Sequence, residues 1–236
     1  MTIRGHVRRL IVAALALLLL AAFLAVRIPD RAGAEFVRCQ QHRADAKERA
    51  AEGTDARGAT LVIGDSWSVG LGLDDLSRSW PSRLPGEVRV AGFSGSGFSA
   101  RASVCGRVSF ADRAPTALGA RPDLVVIEGG LNDYDQPASA TERGFRDLMK
   151  ALAGQHVVVV GPASAPARAR AVPQVDDLLA RLCAEYAVPY VVTSDLELDY
   201  LDDRLHLSEG GHEKFGDAIA QRIEDVTTTR PSVLMN

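Results

Sequence analysis

Residues 60–66 read TLVIGDS, a short apolar run that ends in Gly, Asp and Ser. The run from Thr60 to Gly64 lacks polar alternation, as strands that are buried on both faces do. Four further runs share this character, and they are Val88 to Gly92, Leu124 to Glu128, His156 to Gly161 and Pro189 to Thr193. The sequence therefore predicts five short, buried strands.

Helical patterns lie between and after these runs. Thr141 to Leu152 and Val175 to Tyr186 each place apolar side chains on one face, and Glu209 to Val226 follows Ser208, a favourable N-cap residue. Strands that alternate with helices predict an α/β fold, in which a parallel sheet is covered by helices on both sides. In such sheets, ligands bind beyond the carboxyl ends of the strands.

The chain is long enough for one domain of ordinary size beside a short N-terminal segment. It has 236 residues, of which 47% are hydrophobic, so it can bury a substantial core. We assign residues 59–229 to this domain and residues 230–236 to a C-terminal tail. Residues 35–58 are polar, Ala-rich and charged, and we interpret them as a stalk before the domain.

Residues 1–34 are typical of a targeting segment. Three arginines within the first nine residues precede an unbroken apolar run of 17 residues, Leu10 to Val26. This length lies between that of a signal-peptide core and that of a short membrane span. A cleaved signal peptide and an uncleaved membrane anchor both remain open, and both place residue 35 onward outside the cytoplasm, extracellular or in the cell envelope.

Charge and cysteine content narrow the function classes. Residues 1–34 carry a net charge of +4 and the whole chain carries −3, so the remainder is acidic and nucleic acid is not an expected partner. The spacing of Cys39, Cys105 and Cys183 matches no zinc pattern. Outside the cytoplasm one disulfide is plausible; Cys39 with Cys105 is the favoured pair and Cys183 is expected to be a buried thiol, although the sequence leaves the pairing open.

Three residues together have the side chains that nucleophilic catalysis needs. Ser66 follows the first strand, and Asp203 and His206 lie three apart just before the last helix. Separately, Ser66 is as well explained by a helix cap, and Asp203 with His206 by a surface pair. Together they supply a nucleophile, a base that takes its proton, and a carboxylate that orients the base.

Two further positions could stabilise an oxyanion. Asn132 follows the third strand within EGGLND (residues 128–133), and Gly95 lies in GFSGSG (residues 92–97) after the second strand. Both segments are also explained by tight turns or flexible loops. A side-chain amide or a backbone N–H at these places could instead donate to a negatively charged oxygen.

Four blocks in this order resemble the SGNH/GDSL hydrolase family: GDS at residues 64–66, Gly95 in the second loop, GLND at residues 130–133, and D-x-x-H at residues 203–206. The resemblance spans residues 60–220. It implies a three-layer α/β/α sandwich with a five-stranded parallel sheet, of the flavodoxin-like type. It also implies Ser66 as nucleophile, His206 as base and Asp203 as its partner, with an oxyanion hole made of Ser66 N–H, Gly95 N–H and the Asn132 amide.

Two positions depart from the family pattern, since Val90 stands where Asn is common and Ser96 stands where Asp is common. Neither carries the chemistry.

We therefore predict an exported serine esterase that needs no cofactor and no metal, is a monomer, and attaches to the membrane if residues 10–26 are kept. Its natural ester stays open among glycan O-acetyl, lysophospholipid and short lipid esters. Transfer of the acyl group to a sugar or lipid acceptor and a non-catalytic, surface-anchored binding module are the alternatives.

Overall fold

The computed structural model describes residues 3–53, 58–119 and 121–228, and within the first helix it describes the side chains of residues 12–17 and 32–51. The chain divides into two compact units, Met1–Gln41 and His42–Asn236. Helix α1 covers Ile3–Ala51. Among the described residues, no helix has both the length and the apolar character needed to cross a bilayer. Most of the run from Leu10 to Val26 lies outside the described side chains, as do the predicted tail residues 230–236, which the structure does not describe.

The larger unit alternates strands with helices, as predicted. Its strands are β1 (Thr60–Gly64), β2 (Val88–Gly92), β3 (Leu124–Glu128), β4 (Val157–Val160) and β5 (Tyr190–Val191). Its helices are α2 (Ser66–Val69), α3 (Phe110–Leu118), α4 (Ala138–Ala151), α5 (Val172–Glu185) and α6 (Glu209–Thr228). Short 3-10 turns occupy Leu76–Arg78, Trp80–Arg83 and Leu131–Asp133.

The five strands form one parallel sheet in the order β2-β1-β3-β4-β5. This is the flavodoxin-like order, so the predicted fold class is confirmed. The chain leaves β1 toward β2 on one side and returns to β3 on the other. The carboxyl ends of β1 and β3 therefore flank the point where the strand order reverses, which is where open α/β sheets bind ligands.

Apolar cores cover both faces of the sheet. Leu61, Ile63 and Ile127 point into one core together with residues of α3, α4 and α5. Val62, Val126 and Val160 point into the other, together with Phe215 of α6. Because successive residues of a strand face opposite sides, a strand between two helical layers must be apolar at nearly every position.

Strands β4 and β5, on one side of the sheet, are shorter than the predicted runs His156 to Gly161 and Pro189 to Thr193. Strands β1, β2 and β3 have the predicted bounds, but the run from Pro189 to Thr193 forms only the two-residue β5. Proline has no N–H to donate to a ladder. The Thr193 hydroxyl donates to the Gly161 carbonyl oxygen at 2.7 Å. A side-chain donor, and not a backbone N–H, therefore bonds this carbonyl at the end of β4.

The end of α1 belongs to the larger unit. Arg49 is buried there, and its Nε donates to the Ser79 hydroxyl at 3.0 Å while its NH1 lies 3.1 Å from the Glu52 carboxylate. Burial lowers the pKa of the Arg49 guanidinium, and the charge of Glu52 opposes this shift. Residues 42–51, assigned from the sequence to the stalk, therefore pack as part of this unit, and residues 54–57 lie outside the described chain.

Cys183 of α5 is a buried, free thiol, as expected, and burial raises its pKa to about 12. Cys39 and Cys105 are disulfide-bonded.

Candidate active site

Ser66 is the first residue of α2, directly after β1. The cap of this short helix is Asp65, whose Oδ1 accepts from Trp67 N at 2.9 Å. The capping interpretation of this segment therefore applies to Asp65 and not to Ser66. The Ser66 hydroxyl takes part in no hydrogen bond among the residues that the structure describes.

Asp203 and His206 form a hydrogen-bonded pair in the turn before α6. Asp203 Oδ2 lies 2.6 Å from His206 Nδ1, and Asp203 Oδ1 accepts from the backbone N–H groups of Leu205 and His206 at 2.9 Å each. Partial burial raises the pKa of Asp203, but these hydrogen bonds outweigh it and hold the pKa below its usual value. The carboxylate thus stays ionised beside the imidazole.

Trp67 joins two segments of the site. One runs from Asp65 to Val69 and is called the Ser66 segment, and the other runs from Asp203 to His206 and is called the His206 turn. Its indole N–H donates to the Leu205 carbonyl oxygen at 3.1 Å, and its ring packs edge-on against Phe215 with centroids 5.2 Å apart. The indole is buried, and the bond itself is partly buried. The residue after Ser66 therefore holds the residue before His206, and the structure brings the two segments together at one end of the sheet.

Asn132 lies in the 3-10 turn after β3, and its amide is fully engaged. Its Nδ2 donates to Asp65 Oδ2 at 3.0 Å and to the Ser96 carbonyl oxygen at 2.8 Å. Gly130 begins this turn with φ of 117°, a conformation that favours glycine. Asn132 thus contacts both the Ser66 segment and the loop of residues 93–99 after β2, called the Gly95 loop.

The Gly95 loop turns at Gly95 itself, where φ is 80°. Neither Gly95 N–H nor Ser66 N–H donates a hydrogen bond to another group in the described part of the chain. Asp133 fixes the next turn of the loop, because its carboxylate accepts from Phe98 N at 3.0 Å and from Ser99 N at 2.7 Å. Burial raises the pKa of Asp133 to about 6, although these bonds oppose the shift.

Two ionisable side chains that the sequence did not identify contact these segments. Arg113 of α3 donates to the Gly64 carbonyl oxygen at 2.9 Å and to the Ser96 hydroxyl at 3.0 Å, and burial lowers its pKa to about 10. Glu128 accepts from the Ser68 hydroxyl at 2.7 Å. Burial and then the charge of Asp65 raise the pKa of Glu128 well above its ordinary value. Arg113 has no sequence motif, whereas Glu128 opens the EGGLND block.

His212 lies in the first turn of α6 and has a structural contact. Its Nδ1 accepts from Trp80 N at 3.2 Å. Burial, and then the charge of His206, lower its pKa to about 4.

The aromatic residues Phe93 and Phe98 are buried like Trp67, so core packing accounts for all three. Among the described residues, no group of three or more His, Cys, Asp or Glu side chains could hold a metal ion.

The match to a family model now adds to this geometry. Residues 62–214 match the GDSL-like Lipase/Acylhydrolase family, which is most of the chain. The protein belongs to this family, as its sequence resemblance indicated, and it is an enzyme that hydrolyses esters.

Solved structures give the same fold. A carbohydrate acetylesterase from Sinorhizobium meliloti aligns with a TM-score of 0.59 and 20% identity over 71% of this chain and 98% of that chain. A putative arylesterase from Agrobacterium tumefaciens aligns with a TM-score of 0.58 and 22% identity over 71% and 99%. The aryl esterase of M. smegmatis aligns with a TM-score of 0.55 and 19% identity over 71% and 99%. A comparison with curated proteins finds no significant match.

Proposed function

We propose that this enzyme hydrolyses carboxylic esters with Ser66 as nucleophile, His206 as base and Asp203 as the partner of His206. His206 Nδ1 is engaged by Asp203, so Nε2 is the nitrogen left to take the proton of Ser66. Ser66 Oγ then attacks the ester carbonyl carbon, and His206 passes the proton to the departing alcohol oxygen. Water, activated by His206 in the same way, cleaves the acyl-enzyme and releases the acid.

The Asp203–His206 pair carries this proposal, together with its link to the Ser66 segment. A carboxylate with a lowered pKa at 2.6 Å holds one imidazole tautomer and stabilises the imidazolium that forms. The Trp67 bond to Leu205 O holds this pair against the segment that presents Ser66. A chance surface pair would have no such connection to a serine at the end of a central strand.

The oxyanion would be stabilised by Ser66 N–H, Gly95 N–H and the Asn132 amide. The two backbone groups have no acceptor among the described residues, which leaves them available to a substrate oxygen. Asn132 donates to Asp65 and Ser96, so its amide would share one of these hydrogens with the oxyanion. We therefore assign the larger part of the stabilisation to the backbone pair.

We further propose that the acyl group is short. Trp67, Phe93 and Phe98, the aromatic residues nearest in sequence to Ser66 and Gly95, are at most 5% exposed, so none of these three side chains is free to line a long acyl channel. One of the structural neighbours is a carbohydrate acetylesterase, and an acetyl group is a short acyl group.

Hydrolysis of p-nitrophenyl esters tests both proposals. The purified full-length chain is assayed with acetate, butyrate, octanoate and decanoate esters, beside Ser66→Ala and, as a control, Ser139→Ala at an exposed serine of α4. We expect highest kcat/KM for acetate or butyrate, loss of activity in Ser66→Ala and unchanged activity in Ser139→Ala. Full activity in Ser66→Ala contradicts the serine mechanism, and a decanoate preference contradicts the short acyl site. An ester that is cleaved only when a sugar or lipid acceptor is added would identify an acyltransferase.

We also propose that residue 35 onward functions outside the cytoplasm. The basic start followed by the apolar run Leu10 to Val26 supports this location, and so does the disulfide-bonded state of Cys39 and Cys105, because disulfides persist in oxidising compartments. A fusion of alkaline phosphatase after Asn236 tests it. High phosphatase activity in intact cells is expected, and activity confined to lysates contradicts the proposal.

A further inference from the structure

Arg168 lies in the loop between β4 and α5, and it contacts the side chain of Asn132. Its NH1 donates to Asn132 Oδ1 at 2.8 Å and to the Leu131 carbonyl oxygen at 2.6 Å. A guanidinium has only donors, so the atom that faces it must be the amide oxygen. Arg168 therefore decides which end of the Asn132 amide points away from it.

The opposite end of the amide faces two acceptors. Asp65 Oδ2 and the Ser96 carbonyl oxygen both accept from Nδ2. A rotation of the amide by 180° would set its NH₂ against the Arg168 donors and its oxygen against two acceptor oxygens. Three partners thus enforce one orientation, and Arg168 is the only one of these that acts on the oxygen.

Arg168 is itself held in place. Its guanidinium carbon lies 4.5 Å from the centroid of the Tyr134 ring, a favourable cation–π distance. Its backbone N–H donates to Ala165 O at 2.9 Å, and its own carbonyl accepts from Ala171 and Val172, which anchors the residue at the start of α5.

The same loop also contacts the His206 turn. The residue before Arg168, Ala167, donates its N–H to the carbonyl oxygen of Arg204 at 3.0 Å, and Arg204 lies between Asp203 and His206 in the chain. One short segment therefore touches both the turn that holds the base and the amide proposed for the oxyanion.

We propose that Arg168 is a positioning residue that holds the Asn132 amide with its N–H groups toward the reacting carbonyl. Arg168 acts only through Asn132, and this role rests on the proposed serine mechanism. Without Arg168, the amide oxygen loses its donor and the amide is held only at its NH₂ end by Asp65 and the Ser96 carbonyl oxygen. A misplaced oxyanion donor lowers the rate of the chemical step while leaving substrate binding largely intact.

A double-mutant cycle between Arg168 and Asn132 tests the proposal, with p-nitrophenyl acetate as substrate. Arg168→Met is expected to lower kcat by about 10- to 100-fold with KM within about threefold, and Arg168→Lys, which keeps a donor at this place, to recover part of the loss. Asn132→Ala is expected to lower kcat by more than Arg168→Met does. In the Asn132→Ala background, Arg168→Met should change kcat by less than twofold.

Additive losses, or an Arg168→Met variant with wild-type kcat, would overturn the proposal. If Arg168→Met does not fold, Arg168→Lys goes through the same cycle, and its smaller loss must also vanish in the Asn132→Ala background. Arg222→Met is the matched control, since it removes an arginine that bonds Asp195 and a backbone carbonyl away from the site, and it should leave kcat unchanged. Ser66→Ala, assayed beside these variants, separates the two proposals: an active Ser66→Ala contradicts the serine mechanism, whereas an inactive Ser66→Ala with additive losses contradicts the role of Arg168 alone.

Discussion

Gly97 lies where the Gly95 loop meets the carboxylate that orders it, so Gly97→Ala is predicted to damage both stability and catalysis. A Cβ at this position would stand 2.4 Å from Asp133 Oδ2 and 3.0 Å from Ala102 Cβ, whereas ordinary contacts begin near 3.4 Å. Asp133 would therefore have to move by about 1 Å, a shift that breaks at least one of its bonds to Phe98 N and Ser99 N. Loss of a buried bond to a charged group costs about 1.5–3 kcal/mol in the free energy of unfolding.

Urea denaturation and esterase kinetics measure this effect. Gly97→Ala should lose about 1.5–3 kcal/mol of unfolding free energy, and its kcat should fall because Gly95 belongs to the displaced loop. Gly210→Ala is the matched control, because a Cβ there meets nothing within 4 Å. That control is expected to gain about 0.4–1 kcal/mol, since alanine restricts the unfolded chain. A Gly97→Ala variant as stable as the wild type would refute the assigned packing of Asp133 on this loop.

Three other predictions concern single groups. Asp203→Asn should fold normally, and its kcat should fall by about 10⁴-fold, as when the orienting carboxylate of a triad is lost; a loss below tenfold in p-nitrophenyl acetate hydrolysis would exclude the role of Asp203. His212 has a pKa of about 4 in the folded chain against 6.5 when unfolded, so its contribution to stability is present above pH 6.5 and is lost as the pH falls toward 4. Between pH 7 and pH 4, the wild type should therefore lose about 3 kcal/mol more than His212→Gln in urea titrations, and equal losses would contradict the lowered pKa. Cys183, with a pKa of about 12, should react with a thiol reagent at pH 8 only after denaturation, and fast labelling of the native protein would contradict its burial.

The sheet could be predicted closely because its central strands are buried on both faces. Such strands must be apolar at nearly every position, which makes their bounds visible in the chain, and β1, β2 and β3 agree with the sequence prediction residue by residue. The length of the edge strand β5 was overestimated because an apolar run indicates burial and does not indicate backbone pairing with a neighbouring strand. Val192, for example, is exposed although it continues the apolar run.

The helix Phe110–Leu118 was missed for a different reason. It contains Pro115, which normally ends a helical pattern. Its start carried a signal, since Ser109 and Asp112 form a capping box in which each side chain bonds the other's backbone N–H. Because Arg113 lies on this helix, the contact of its buried guanidinium with the site was not predicted either.

The site was predictable where it follows directly from strand ends, and not where long side chains reach in from elsewhere. Ser66, Gly95 and Asn132 each follow a strand of the sheet, so a parallel topology alone gathers them at one edge. Arg113 and Arg168 come from a helix and from a later loop, and no local spacing marks an arginine that will bond backbone carbonyls. Only the folded chain shows that these two guanidinium groups contact the same loops as the oxyanion candidates.

The most direct test of the account is to locate a covalent adduct on the enzyme. The full-length chain is treated with a fluorophosphonate that reacts only with activated serines, and the modified peptide is identified by mass spectrometry. We predict one adduct, on Ser66, that is abolished by His206→Ala and unaffected by His156→Ala. Absence of an adduct on the folded enzyme, or an adduct on another serine that persists in His206→Ala, would contradict the assignment of Ser66 and His206 as nucleophile and base.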